Sequence, residues 1–185
     1  LKFINDGYGT KRNNLMYNDF VIIGPSRNPA EISFNDNISI TFNKIAKTKS
    51  IFVSRGDNSG THLAEMNIWN IANFDPVPFS GQWYLNTGQG MGPTLNIAIG
   101  MNAYSLTDRS TWLRYNNKLN HVVLYDDDIH LFNQYGIVTI NKNHCDNLNH
   151  ESAQIFTDWI LSKEGQELIG SFKVNGRQLF KPNHE

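Results

Sequence analysis

The 185 residues contain one cysteine, Cys145, so no disulfide framework can form within the chain. A lone Cys of this kind reads as a small buried hydrophobe. No apolar run approaches the roughly 20 residues that a bilayer crossing needs. No basic-then-apolar leader follows Leu1, and Leu1 is not an initiator Met, as expected of a processed chain or part of a longer one. An excess of one charge is also missing. Lys and Arg number 16 against 17 Asp and Glu, a formal net charge of −1. A nucleic-acid binder would carry a basic stripe, and none is present. Any anion site must therefore be local. No Walker A lysine occurs, and Ser59 lies in no G-x-S-x-G elbow. His62, His121, His130, His144, His150 and His184 show no metal-ligand spacing, and Asp126-Asp127-Asp128 reads as a solvated acidic turn. Neither a catalytic set, a metal site nor a cofactor is expected.

Apolar residues make up 39% of the chain, enough for a packed core in one domain or two small lobes. Leu15 to Gly24 carries an apolar run that reads as a buried strand before Pro25. Ile38 to Lys47 reads as a short helix, Ser50 to Ser54 as a second strand. A helix is expected from Ser59 to Ile71 with Leu63, Met66 and Ile71 inward. Trp83 to Leu85 is short and extended, and Pro93 to Ile99 looks helical. Strands follow at Asn102 to Leu106, His121 to Tyr125 and Tyr135 to Ile140. The stretch Glu151 to Leu161 has Ala153, Phe156 and Ile160 at helical spacing, with a further helical turn after Ser162. Strands alternating with helices predict an α/β fold with a largely parallel sheet.

The chemistry concentrates in Arg55-Gly56-Asp57-Asn58-Ser59-Gly60-Thr61, which directly follows Ser54. Gly56 and Gly60 relax the backbone, so amides can turn inward. Ser59 and Thr61 bring hydroxyls to a helix start, where unpaired N–H groups and the dipole favour negative charge. Arg55 adds a fork of donors. Asp57 would repel a dianion, so it is expected to orient Arg55, to cap amides, or to accept a proton from a protonated ligand. The plain alternative is a helix cap by Asp57 or Ser59 with Arg55 on the surface. Thr87-Gly88-Gln89-Gly90-Met91-Gly92 is a second candidate cradle, or else a tight packing turn. Thr107 or Asp108 is expected to cap the next helix, and Trp83, Tyr84 and Trp112 to pack in the core.

These residues carry a family likeness. Phe52 to Thr61 resembles the ligand loop of the tungstate ABC transporter binding proteins, a branch of the type II periplasmic binding proteins. Met16 to Pro25, Trp83 to Gly92, Ala103 to Arg109 and Leu161 to Gln166 resemble further segments of that family, in family order. The resemblance implies two α/β lobes with mixed, mostly parallel sheets. Lobe 1 would comprise 1–22 plus 134–185 and lobe 2 would comprise 23–133. It implies oxyanion binding by Ser54, Arg55, Gly56, Asp57, Ser59, Gly60 and Thr61, with Thr87, Gly88, Gln89 and Gly90 as secondary candidates. Tungstate or molybdate would be captured outside the cytoplasm, in the periplasm, and passed to a membrane permease. Family members begin with further βα units, about 60 residues at roughly 30 each. Against that pattern the first lobe is incomplete, and association with another chain is expected to cover its sheet edges. The Arg55-x-Asp57-x-Ser59-Gly60-Thr61 pattern also resembles phosphate receptors of ABC importers, and ligand-sensing domains of transcriptional regulators share the fold.

Overall fold

Phe20, Val21, Ile22 and Ile23 are all shielded from solvent, and alternate members of this run face opposite sides of a sheet. In a computed structural model, which describes residues 2–184, they lie in a 17-residue strand, β1 (Gly9–Pro25). The apolar run marks only the buried part of that strand. The chain divides into two compact units: residues up to Asn18 with those from Asn133 onward, and Asp19–Phe132.

Within Asp19–Phe132, the end of β1 pairs antiparallel with β4 (Ser105–Asp108) on one side and β5 (His121–Tyr125) on the other. The strands β2 (Phe52–Ser54) and β3 (Tyr84–Asn86) pair in parallel, with Val53 opposite Leu85. Val53 N–H donates to the Tyr104 carbonyl and Tyr104 N–H to that of Ile51, each at 2.8 Å, which joins β2 to the segment entering β4. The resulting order is β3-β2-β4-β1-β5, with β1 alone running against the others. On one face α2 (Ile38–Thr48) and α3 (Gly60–Ile71) pack against Phe20, Ile22, Phe52, Tyr84 and Leu106. On the other, α4 (Met91–Gly100) and α5 (Arg109–Arg114) pack against Val21 and Ile23 through Met91, Leu95, Ile99 and Trp112. Trp69 sits at the centre of the first core, edge-on to Phe42 at 4.5 Å between ring centroids.

The inward stripe of α3 is Thr61, Glu65, Ile68 and Trp69. Met66 and Ile71 pack at its margin, but Leu63 is 61% exposed, contrary to expectation. The Ser59 cap and the seat of Trp69 fix the rotation of the helix, and Leu63 falls on the far side. The acidic turn is also corrected. Asp126 pairs with Arg109 at 2.7 Å, and Asp128 accepts from the Tyr125 hydroxyl at 2.8 Å and from His130 N–H at 2.9 Å.

The other unit holds α1 (Lys2–Asn5) and the first half of β1, which pairs with β6 (Phe132–Ile140). It also holds α6 (His150–Leu161), α7 (Lys163–Ser171) and three two-residue strands: β7 (Lys173–Val174), β8 (Arg177–Gln178) and β9 (Lys181–Pro182). Here β9 pairs with β1, Met16 opposite Pro182. Asn149 caps α6 and Ser162 caps α7. Cys145 is half-buried, and of the apolar residues at helical spacing in α6, Ala153 and Phe156 are exposed and Ile160 is half-buried. The three clusters of buried apolar side chains all lie in the Asp19–Phe132 unit.

Candidate functional site

Adjacent parallel strands end level with one another, Ser54 opposite Asn86, and each runs through a tight turn into a helix. The β2 turn leads to α3 and the β3 turn to α4. Thr87 joins them: its N–H donates to the Ser54 carbonyl at 3.0 Å and its hydroxyl to the Arg55 carbonyl at 3.2 Å. The Thr87 hydroxyl also bonds that of buried Thr94 at 2.9 Å and receives the Gln89 N–H at 3.3 Å. Gly56 lies in the left-handed region at φ +59°, and a Cβ there would stand 2.8 Å from Asn86 Cβ. Only glycine allows the two turns to approach this closely.

The α3 start is built from its own sequence. Ser59 is the N-cap, its hydroxyl accepting the His62 N–H at 3.3 Å. Asp57 accepts the Ser59 N–H on Oδ1 at 3.1 Å and the Arg55 guanidinium on Oδ2, from Nε at 3.1 Å and Nη2 at 2.5 Å. The Ser59 hydroxyl beside it, the Ser59 N–H and Arg55 together hold the Asp57 carboxyl down at about 2. It is ionised at neutral pH, and both oxygens are occupied. Arg55 is thereby folded against the turn, with its side chain 20% exposed, rather than extended into water. Among the described residues, the N–H groups of Asn58, Gly60 and Thr61 in the first turn find no protein acceptor, nor do those of Gly88, Gly90 and Met91 in the second. The second helix, α4, starts at Gly90 with no side-chain cap. Two helix N-termini, a guanidinium and free amides form a patch made of donors, suited to an anion.

The candidates fall in three positions. Asn58, Gly60, Gly88, Gln89 and Gly90 are exposed; Arg55, Gly56, Asp57, Ser59 and Thr87 are half-buried; Ser54 and Thr61 are buried. Ser54 lies under the turn, where its hydroxyl oxygen accepts the Gly56 N–H at 3.2 Å and stands 3.2 Å from His62 Nδ1. The third turn offers no comparable patch. Asp108 caps α5, accepting the Thr111 N–H at 2.9 Å and the hydroxyls of Ser110 and Thr111.

Sequence reading did not single out what lies beneath. Glu65 is 1% exposed, and its Oε1 accepts the Tyr84 hydroxyl at 2.7 Å and Trp69 Nε1 at 3.2 Å. Oε2 stands 4.0 Å from His62 Nδ1. Burial raises the Glu65 carboxyl to about 7, against the opposing hydrogen bonds of Ser54, Tyr84 and Trp69. Burial and the neighbouring Glu65 drive the Tyr84 phenol well above its usual range. The available signal was a charged residue four positions after Thr61 and four before Trp69, on the apolar stripe of a helix. Ser54, His62 and Glu65 do not form a charge relay. In such a relay the hydroxyl and the acid take opposite ring nitrogens; here both approach Nδ1.

A family model described as a PBP superfamily domain matches residues 2–164. The tungstate-binding protein TupA of Peptoclostridium acidaminophilum is 38% identical over 186 residues, 98% of this chain and 64% of that protein. TupA of Campylobacter jejuni subsp. jejuni is 34% identical over 183 residues, 97% of this chain and 67% of that protein. The solved structure of the tungstate-binding protein TupA from Desulfovibrio alaskensis G20 superposes with a TM-score of 0.84 at 41% identity, covering 100% of this chain and 74% of that one. The chain spans 54% to 67% of the length of the curated relatives it matches.

Proposed function

The chain belongs to the PBP superfamily, in the group that holds the tungstate-binding proteins, and on that footing we propose that it is an extracytoplasmic receptor that binds tungstate or molybdate and delivers it to an ABC importer. The observation that carries the reading is the pair of donor-rich turns at the ends of β2 and β3, with Arg55 folded against one of them. Helix N-termini and free amides supply donors without mobile charge. Arg55 supplies the positive charge, Gly60 and Thr61 supply free amides, Ser59 and Thr61 supply hydroxyls, and Gly56, whose own N–H is held by Ser54, lets the turn close. Thr87, Gly88, Gln89 and Gly90 add the second wall. Ser54 acts from beneath, through Gly56. Ser54 touches His62 Nδ1 but lies buried beneath the turn, and the two form no charge relay with Glu65; the protein is read as a receptor rather than an enzyme.

The state of Asp57 favours a ligand without a proton. An ionised carboxylate offers about four lone-pair positions, and the Ser59 N–H and the Arg55 guanidinium take three of those on Asp57, so it is largely committed within the turn; a ligand O–H left without a partner costs about 1–3 kcal/mol. Tungstate and molybdate are unprotonated dianions at neutral pH, whereas phosphate carries a proton. Among the described residues no helix is long and apolar enough to cross a membrane.

Titration calorimetry with tungstate, molybdate, sulfate and phosphate tests the reading. Heat is expected from tungstate and molybdate, and heat from phosphate alone would overturn it. The Arg55→Ala protein should lose about 10- to 100-fold in affinity, the equivalent of one charge-assisted hydrogen bond of about 1.5–3 kcal/mol. Unchanged affinity would remove Arg55 from the site.

A further inference from the structure

Three side chains beneath the Arg55 turn form a chain of contacts that anion binding as described above leaves unused. Ser54 pins the turn by accepting the Gly56 N–H. His62 Nδ1 touches the same Ser54 oxygen at 3.2 Å, and Glu65 Oε2 stands 4.0 Å from that ring nitrogen. A hydroxyl has one proton to give and two lone pairs to offer. One lone pair of Ser54 already holds Gly56. When Nδ1 is bare, the Ser54 proton goes to it. When Nδ1 carries a proton, it donates to the second lone pair, and the Ser54 proton turns toward Glu65. The proton count of Glu65 and His62 therefore sets the direction of the bond that holds the turn.

That count also sets the charge beneath the site. Glu65 is buried, its Oε1 takes two donors, and no cation other than a protonated His62 reaches it among the described residues. The titratable groups that face it are His62 on its own helix and Tyr84 from β3. Asp75 acts on Tyr84, adding negative charge. The side chains that α2 and β4 bring to the same core, Phe42, Ile45 and Leu106, are apolar. An ionised Glu65 leaves a negative charge under a patch that receives a dianion. Adding a proton removes that charge.

We propose that Glu65 is a positioning residue of the anion turn, acting through His62 and Ser54, and that Glu65 takes up a proton when an oxyanion dianion binds. This rests on the assignment of the Arg55 turn as the anion site. Glu65 lies in the pH range where this matters, because burial, acting against the hydrogen bonds of Ser54, Tyr84 and Trp69, brings its carboxyl to about 7. Affinity for an unprotonated dianion therefore falls as pH rises, by up to about tenfold per unit where a whole proton is taken up.

The test is tungstate titration calorimetry between about pH 6.5 and about pH 9, repeated at each pH in two buffers that differ in ionisation enthalpy. Wild-type protein should show a buffer-dependent heat corresponding to proton uptake, with an affinity that weakens toward high pH. Glu65→Gln should still bind tungstate but lose the uptake and the pH slope together. A purely structural role for Glu65 would lower affinity evenly at every pH. Tungstate binding with no buffer dependence in the wild type, or a slope that survives Glu65→Gln, would refute the proton linkage and leave the receptor reading standing. Failure to bind any oxyanion at any pH would overturn both. The wild-type measurement decides the matter even if Glu65→Gln does not fold.

Discussion

Replacing Gly56 with alanine strikes the point where the two turns meet, and the structure gives two separable costs. The first is conformational. At φ +59° an L side chain crowds its own backbone, a penalty of about 1–2 kcal/mol. The second is steric. The new Cβ would stand 2.8 Å from Asn86 Cβ and 2.9 Å from Asn86 Oδ1, and the Asn86 Cβ is fixed to the end of β3. It cannot rotate away, so one of the turns must move. Gly81 separates these costs: its φ is +79°, but a Cβ there meets nothing within 4 Å. Gly81→Ala should therefore lose only the conformational part. Gly56→Ala should lose about 2–3 kcal/mol, a fall in melting temperature of roughly 4–10 °C for a protein of this size. Its anion affinity should fall further than its stability suggests, because a displacement of about 1 Å in a positioned site can cost about a hundredfold. Thermal unfolding followed by circular dichroism, paired with tungstate calorimetry, measures both. Equal melting shifts for the two alanines, or wild-type tungstate binding by Gly56→Ala, would refute the claim that close approach of the turns builds the site.

Two further outcomes follow from the buried carboxyl. Tyr84→Phe removes the 2.7 Å donor to Glu65 and leaves Oε1 with Trp69 alone, so unfolding free energy should fall by about 1–3 kcal/mol in denaturant titrations; no loss would mean that bond is not maintained. Burial raises the Glu65 carboxyl from 4.5 to about 7, so its protonated form stabilises the fold fully below the unfolded value, and that advantage is lost as pH rises to about 7. Glu65→Gln should gain roughly 3 kcal/mol relative to wild type between about pH 4.5 and about pH 8, measured by paired denaturant melts; a constant difference would contradict the raised carboxyl.

The elements were largely legible because their signals are local. Ser54-Arg55-Gly56 ends a buried apolar run, Ser59 opens a helix, and Gly88 and Gly90 interrupt the chain before α4. The sequence could not say that the two turns finish neighbouring strands, since that depends on β2 and β3 pairing across α3 and its flanking loops, residues 55–83. Leu63 misled for a related reason. Apolar spacing along α3 fits more than one rotation, and the choice fell to the Ser59 cap and to Trp69 among the aromatic rings. In β1 the reverse holds: its polar first half, from Thr10 to Asn14, extends through backbone pairing that leaves no apolar trace. The Asp126–Asp128 tract was read as solvated because its partners, Arg109 and Tyr125, come together through the tertiary fold and the adjoining strand.

The two acidic residues of the turn and its helix behave oppositely, and their surroundings account for it. Asp57 stands at the front, where the Ser59 hydroxyl and N–H and the Arg55 guanidinium hold its carboxyl down at about 2 and keep it charged near neutrality. Its charge is therefore constant, and its effect is to hold Arg55 in place. Glu65 stands behind, where burial outweighs three hydrogen bonds and leaves the carboxyl able to gain or lose its proton near neutrality. Two carboxyl groups of the same sequence neighbourhood are thus driven apart by environment, the arrangement that assigns distinct roles to like groups. A dianion arriving at the turn cannot discharge Asp57 without releasing Arg55, but it can draw a proton onto Glu65 while every donor at the front stays in place. The front then contributes selectivity for unprotonated ligands, and the back absorbs the change in charge. Exchanging the two carboxyl environments in thought makes the point: a titrating group beside Arg55 would loosen the guanidinium each time the pH fell, whereas a permanently charged one beneath Ser54 would oppose the ligand at every pH.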